Sequence, residues 1–360
     1  MKHRASTNGR SWPINTDGHA IGVDIGTTSV RAAILALTMT GAGPAVTVHG
    51  FGSVSLPPGA VVNGAVNEQA AVSQALRQLW DVHGFKCRRV ILGVANPQAV
   101  VRPLQIPNLN AQQRAKALPF QAREVIALPL DEVVLDYAQV GEPDPETGML
   151  NGLLIASPRR PVLAAVEAVE RAGLKVARVD LSSFGALRAI GDQRFKVQAV
   201  IDLGAQLTSI IIHRRGVPQL VRTLARGGQE VTDLLVENLN VTPDEAERAK
   251  RETGLTGELD TASAAIETAI RPLLAEIRSS INYFRGGSDG AELEGISLTG
   301  GAAALPGLAA VLSKQNGVPV SVIDPMQHIG NRRPSGDPGV AESEHGASAV
   351  AFGLAIGAAA

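Results

Sequence analysis

The sequence predicts an α/β protein of two related domains, the first carrying an inserted α+β subdomain and the second a mostly helical insertion. Three observations lead there. "VDIGTTSVRAAIL", from Val23, aligns with "IDLGAQLTSIIIH", from Ile201, so that Asp24 matches Asp202 and Gly26 matches Gly204 at an offset of 178 residues. An offset near half the chain suits duplicated domains, whereas solenoid repeats run roughly 20 to 50 residues. Short β-rich runs alternate with segments whose apolar residues recur every three or four positions. Finally, 360 residues with 45% hydrophobic content can bury the cores of two or three domains.

The first element, "AIGVDIGTTSVRAAI" from Ala20, reads as a hairpin with an acid at its tip. Strand side chains alternate, so Ile21, Val23 and Ile25 share one face and Gly22 and Asp24 the other, and Asp24 need not enter the core. Gly26, Thr27, Thr28 and Ser29 are turn formers. An Asp that merely stabilises its own turn is the alternative, and the second copy at Asp202 weighs against it. A third strand with a Pro-Pro-Gly turn follows, then a helix from Glu68 to Trp80 with apolar Ala71, Val72, Ala75, Leu76 and Leu79. Residues 88–180 read as a compact α+β block: two strands around an Asn-Pro turn, a helix interrupted at Pro119, two more strands, a helix ending near Gly173, and the strand "ARVDL". "SSFGALRAI" is a helix and 191–196 the inter-domain connection. The second half opens with three strands, turns helical to about Gly286, and resumes as strand, Gly-Gly turn, helix and strand. The long loop "PMQHIGNRRPSGDPGVAESEHG" and a closing helix end it. The expected division is a flexible tail at 1–18, a first subdomain at 19–87 and 181–196, the insertion at 88–180, a second subdomain at 197–230 and 294–360, and a capping helical subdomain at 231–293.

Bulk properties narrow the function. With 33 Lys and Arg against 34 Asp and Glu, the formal charge of −1 gives no global field to attract nucleic acid or acidic lipid. The doublets Arg88–Arg89, Arg159–Arg160, Arg214–Arg215 and Arg332–Arg333 are scattered and read as solvated surface. One cysteine, Cys87, excludes an intrachain disulfide, and no Cys/His cluster has zinc spacing, which suits a reducing cytoplasm. The polar first 18 residues resemble neither a signal peptide nor a span. No apolar run approaches the roughly 20 residues that cross a bilayer. A membrane role would need another protein as the anchor.

Two Asp-x-Gly hairpins in related domains make chemical sense facing each other across a polyphosphate. Glycine admits close backbone approach, and turn N–H groups and hydroxyls donate to phosphate oxygens. Carboxylates repel phosphate, so Asp24 and Asp202 belong beside Mg²⁺, reached through water because that ion keeps much of its hydration shell.

These residues resemble the actin-like ATPase superfamily, which implies two ribonuclease H-like domains. "IGVDIGTTSVRAAI" and "AVIDLGAQLTSIII" match its two phosphate motifs, and "ISLTGGAAALPGL" its adenosine motif, with Gly300, Gly301 and Ala302 offering bare backbone to a nucleoside. Within it the chain resembles the PilM family of type IV pilus assembly, through "FQAREVIALPLDEVVLDYAQVG", "LLIASPRRPVLAAVEAVERAGLKVARVDLSSFGALRAI" and "RGGQEVTDLL". FtsA shares the inserted subdomain but usually ends in a basic amphipathic helix, whereas "AFGLAIGAAA" is uncharged.

The resemblance implies ATP and Mg²⁺ as cofactors. Its phosphate and nucleoside contacts map onto Asp24, Gly26, Thr27, Thr28, Ser29, Arg31, Asp202, Gly204, Gln206, Thr208, Gly227, Gly228, Gly300, Gly301 and Ala302. Glu247 and Lys250, three apart on one helical face, would hold ribose and base; an exposed ion pair is the other reading. Arg31 stands where the family often has Lys, and Ala205–Gln206 replace small polar residues, which weakens phosphate contacts. Asp180 is the candidate water activator; the alternative is an acid at a helix N-terminus. Hydrolysis is expected to be weak or absent. The implied partner is the cytoplasmic N-terminal segment of PilN, a single-span inner-membrane protein, bound as an extended peptide in a groove involving 88–180. Other pilus assembly proteins would be further partners. Neither nucleic acid nor direct membrane insertion is expected, and the protein would be cytoplasmic, recruited to the membrane by its partner. A sugar kinase of the same superfamily, an FtsA-like filament and a pseudo-ATPase holding nucleotide as structural glue are the competing functions.

Overall fold

The computed structural model describes residues 19–40, 43–192, 194–255, 261–287, 291–329 and 345–357. The chain opens as an antiparallel meander of β1 (His19–Ile25), β2 (Ser29–Thr40) and β3 (Gly43–Ser55). A small hairpin, β4 (Val61–Val62) and β5 (Ala65–Val66), turns at Asn63 and Gly64, whose φ values of 49° and 79° suit a tight two-residue turn. Helix α1 (Gln69–His83) buries Val72, Ala75, Leu76, Leu79 and Trp80 and stops at Gly84, where φ is 62°. Strand β6 (Arg89–Val94) then runs parallel to β1. Next come β7 (Val100–Pro107), α2 (Ala111–Ala122), β8 (Val133–Gln139), β9 (Met149–Pro158), α3 (Arg159–Arg171), β10 (Lys175–Leu181) and α4 (Ser182–Ile190).

The second half repeats the plan with β11 (Val197–Leu203), β12 (Thr208–Arg214) and β13 (Val217–Leu224), followed by α5 (Gly228–Leu239), α6 (Pro243–Thr253) and α7 (Thr261–Gly287). It closes with β14 (Gly295–Thr299), α8 (Leu308–Asn316), β15 (Val320–Val322), α9 (Pro325–Ile329) and α10 (Ala349–Ile356). The two five-stranded sheets have the same order, β3-β2-β1-β6-β10 and β13-β12-β11-β14-β15, each an antiparallel meander extended by two parallel strands. The internal repeat is thus a repeat of architecture.

Several elements sit where the sequence reading did not put them. β6 and β10, at the two ends of the 88–180 block, pair into the first sheet, and α3 packs its Ala165, Ala168 and Val169 against Leu76 and Trp80 of α1. The separate sheet contains β7, β9 and β8 alone, covered by Leu118 and Ala122 of α2. The closing helix α10 crosses to the first half: with α4 it fills the space between the sheets, against Ala20, Ala33 and Ile91 on one side and Val200 and Ile211 on the other. The contact is close because both helices carry glycine, and a Cβ at Gly353 would lie 1.7 Å from the Gly185 carbonyl oxygen. Gly22 is equally constrained, its Cβ position being 2.0 Å from the Ala351 oxygen. Parity holds for β1, but both of its faces are buried, Ile21 and Val23 under α1 and α3, Ala20 and Gly22 under α10. The β4–β5 hairpin and α9, inside the expected long loop, were not anticipated. The N-terminal tail and the Arg332–Arg333 doublet lie outside the described residues.

Candidate functional site

Asp24 and Asp202 stand at the same place in the two sheets, one residue before the end of β1 and of β11. Each hairpin closes alike: Gly26 N–H donates to the Ser29 oxygen (3.0 Å), and Gly204 N–H to the Leu207 oxygen (2.8 Å). Arg31 lies opposite Asp24 in the β1–β2 ladder, and its Nη1 is 3.5 Å from Asp24 Oδ2. A Cβ at Gly26 would approach that Nη1 to 2.9 Å, so glycine leaves room for the guanidinium.

The two carboxylates sense each other. Burial pushes the Asp202 carboxyl up to about 7, and the Asp24 charge pushes the same way while Arg31 pulls back. Asp24 is also raised, by burial first, with Arg31 opposing. One guanidinium therefore serves two acids. Arg31 Nε is itself buried and meets no acceptor. Among the described residues no group of three or more His, Cys, Asp and Glu could cage a metal. Mg²⁺ fits such a site on water and phosphate oxygens, with the two carboxylates as outer partners, and a phosphate would supply the acceptor that Arg31 Nε lacks.

Gly300 follows β14 at φ 92°, and its Cβ position is 2.6 Å from Asp202 Oδ1, so the Gly-Gly turn folds directly onto the acid. Gly300 N–H and the Thr299 hydroxyl both donate to the Gly346 oxygen, and Ala302 N–H donates to Leu203. At Gly301 a Cβ would meet nothing within 4 Å, leaving that backbone open. Gly227 packs against the carbonyls of Gly204 and Ala205, and Gly228 N–H donates to the Gly204 oxygen, joining the start of α5 to the second turn. Lys250 Nζ is buried against the Gly228 oxygen (3.1 Å), Thr232 Oγ1 (2.8 Å) and Glu247 Oε1 (2.5 Å). Burial depresses the lysine. Glu247 would be raised by its own burial, but its bonds from Lys250 and Thr232 outweigh that and lower it. The pair is thus an α5–α6 clamp beside Gly228 and Ala302, with Glu247 reaching solvent.

The structure brings Asp24, Gly26, Arg31, Asp202, Gly204 and Gly300 together, and ties Gly227, Gly228, Ala302, Glu247 and Lys250 into the same wall. Thr27 is half-buried and Thr28 exposed in the first turn, whereas Ser29 is buried. Thr208 is wholly buried, its hydroxyl given to the Arg226 oxygen. Gln206 accepts the Asn63 N–H at 3.0 Å, a contact between the two halves. Asp180 is occupied on both oxygens: Oδ1 accepts the Leu181 N–H, and Oδ2 meets Arg188 at 2.7 Å and Arg178 at 3.6 Å. That is the helix N-terminal acid of the alternative reading. Asn63, Gly64, Thr232 and Gly346 were not anticipated. Of these, "VVNGAV" carried a signal, Asn-Gly between short β-rich runs.

Comparison with known proteins adds the family. A family model described as type IV pilus assembly protein PilM matches residues 22–359. The solved PilM–PilN type IV pilus biogenesis complex is similar at a TM-score of 0.78 and 27% identity, over 95% of this chain and 98% of that one. The ethanolamine utilization protein EutJ from Carboxydothermus hydrogenoformans shares the fold at a TM-score of 0.54 and 17% identity, over 94% of this chain and 89% of its own. Cell division protein FtsA of Streptococcus pneumoniae serotype 2 is 26% identical over 368 aligned residues, spanning 89% of this chain and 78% of FtsA.

Proposed function

The chain belongs to the type IV pilus assembly protein PilM family, and on that premise we propose that it is a cytoplasmic, Mg²⁺–ATP-binding scaffold that takes up the N-terminal segment of a PilN-like membrane protein. One observation carries this reading: the similarity to the PilM–PilN complex runs over nearly the whole of both chains. Among the described residues no helix is long and apolar enough to cross a membrane, which supports recruitment through a partner.

Mg²⁺ bound with ATP would supply the positive charge that the Asp24–Asp202 pair lacks, and the nucleotide a ligand common to both halves. The chain's own part is to hold two water-reaching carboxylates at fixed places, to offer turn N–H groups where glycines exclude no ligand, and to aim Arg31 at the phosphates. Asp180 is locked between two arginines, which supports slow hydrolysis or none. Calorimetry of ATP and Mg²⁺ against nucleotide-free protein tests this half. Binding weakened at least about tenfold, roughly 1.4 kcal/mol, is expected in folded Asp24→Ala and Asp202→Ala variants.

For the partner, an extended peptide needs a recess for its apolar anchors. Two recesses border the separate sheet. One, between Asn96, Val101, Ser183 and Ser209, is about 10 Å³, room for a water. The other is an open cleft of about 520 Å³ lined by Pro119, Ile126, Leu128, Pro129 and Leu130 with Arg123 and Asp131 at its edge, and it can take side chains as it stands. A synthetic peptide of the PilN-like N-terminus should bind wild type and lose affinity for Leu128→Asp. Undiminished binding to a folded protein lacking residues 96–158 would remove the insertion from the partner site. The likeness to FtsA supports filament assembly as a second reading, which ATP-dependent light scattering would reveal.

A further inference from the structure

The end of the first half farthest from Asp24 is a concentrated patch of positive charge. β1 and β6 are parallel, so the start of β6 lies about a strand length, roughly 20 Å, from the Asp24 turn. α1 and α3 both finish at this end, and the chain passes through Lys86, Arg88, Arg171 and Lys175. These are neighbours in space: Lys175 N–H donates to the Arg88 oxygen at 2.8 Å, Arg88 Nη1 is 3.9 Å from the Cβ position of Gly173, and Arg77 Nη1 donates to the Arg171 oxygen at 2.8 Å. All five side chains are exposed, and among the described residues none of the five forms an ion pair. Against them stand the exposed acids Asp81 and Glu170, in a chain whose formal total is −1. Beside the cations, Val82 stands 68% exposed in the last turn of α1.

We propose that this end is a peripheral docking surface for an anionic phospholipid bilayer. Two helix C-termini converge on it, presenting carbonyls rather than N–H groups, so it is no compact phosphate site; a diffuse anionic surface suits scattered, mobile cations. Trp80 and Phe85 are buried, so neither offers a face to a stacked base. Val82 suits the apolar margin below the headgroups. Arg77 serves in part as a cap for α3, but Lys86, Arg88 and Lys175 lie outside both helices and cap nothing. The surface is independent of any partner peptide and implies no inserted segment.

Co-sedimentation of the full chain with vesicles tests it, using phosphatidylcholine alone or mixed with phosphatidylglycerol. Wild type is expected to sediment with the mixed vesicles only, and to be released by high salt. Lys86→Glu with Arg88→Glu and Lys175→Glu should reduce that binding at least about tenfold, given the per-charge attraction of anionic leaflets, without moving the thermal midpoint. Arg214→Glu with Arg215→Glu, at the other half's exposed doublet, should leave it unchanged. Failure of wild type to bind mixed vesicles at low salt overturns the proposal. So does equal loss in the Arg214 and Arg215 variant, which would mean charge without place, or displacement of the vesicles by duplex DNA at lower concentration, which would assign the patch to nucleic acid.

Discussion

Replacing Asp202 by Asn should stabilise the nucleotide-free protein while weakening its affinity for Mg²⁺–ATP at least about tenfold. In the folded chain the carboxyl is pushed from 3.8 to about 7, by burial and then by Asp24. Between about pH 4 and 7 the folded state therefore keeps a proton that the unfolded chain has released, so this group's contribution to stability falls as pH rises through that window. A tenfold change in proton affinity is worth about 1.4 kcal/mol, which puts the cost of holding Asp202 ionised above pH 7 at up to about 4 kcal/mol. Asn keeps the shape and never ionises. At roughly 2 °C per kcal/mol for a chain of this size, the variant should melt up to about 8 °C above wild type at pH 8, with the gain shrinking toward pH 4. Adding saturating ATP and Mg²⁺ should raise wild type more than the variant, narrowing the gap by at least about 1.4 kcal/mol for a tenfold difference in affinity. The assay is thermal unfolding across pH, with and without ligand. A variant no more stable than wild type at pH 8, or one that gains as much as wild type from Mg²⁺–ATP, would refute the picture of two carboxylates forced together to await a cation.

Gly353→Ala should cost more than about 3 kcal/mol and reduce soluble yield, because its Cβ would fall 1.7 Å from the Gly185 oxygen; Gly301→Ala, with nothing within 4 Å, should fold normally, and matched melting curves compare them. Gln206→Ala removes the acceptor of the Asn63 N–H, worth about 1 kcal/mol, and should speed release of a fluorescent nucleotide about fivefold in stopped flow; an unchanged rate would make the contact incidental. His213 is buried, with Nε2 facing Gln198 Oε1 and Nδ1 accepting the Gly216 N–H; burial depresses it, against the opposing charge of Asp192. The unfolded chain therefore takes up a proton near pH 6.5 that the folded one refuses, so stability is lost as pH falls below about 6.5, and His213→Gln should flatten that acid limb in pH-resolved denaturation.

What the sequence determined by itself is local. The Asp-x-Gly hairpins, the glycines at 26, 204 and 300, the face alternation of β1 and the stripe of α1 each depend on residues within one or two turns of chain, where steric and hydrophobic preferences act directly. The duplication was legible because both copies obey the same local rules. Only the tertiary structure decided which elements became neighbours. Strand periodicity marks a buried face without naming its cover, so nothing in "RRVIL" or "ARVDL" announced that β6 and β10 would extend the first sheet, nor in "AVAFGLAI" that α10 would return to it. The site divided the same way. Its residue types were readable in order along the chain, but the proton affinity of Asp202 is set by burial first and then by a like charge 178 positions away. Gln206 is drawn to the backbone of Asn63, and Asp180 is spoken for by Arg178 and Arg188. Charge and hydrogen bonding act through space, and the distances that set them exist once the two halves have packed on α4 and α10.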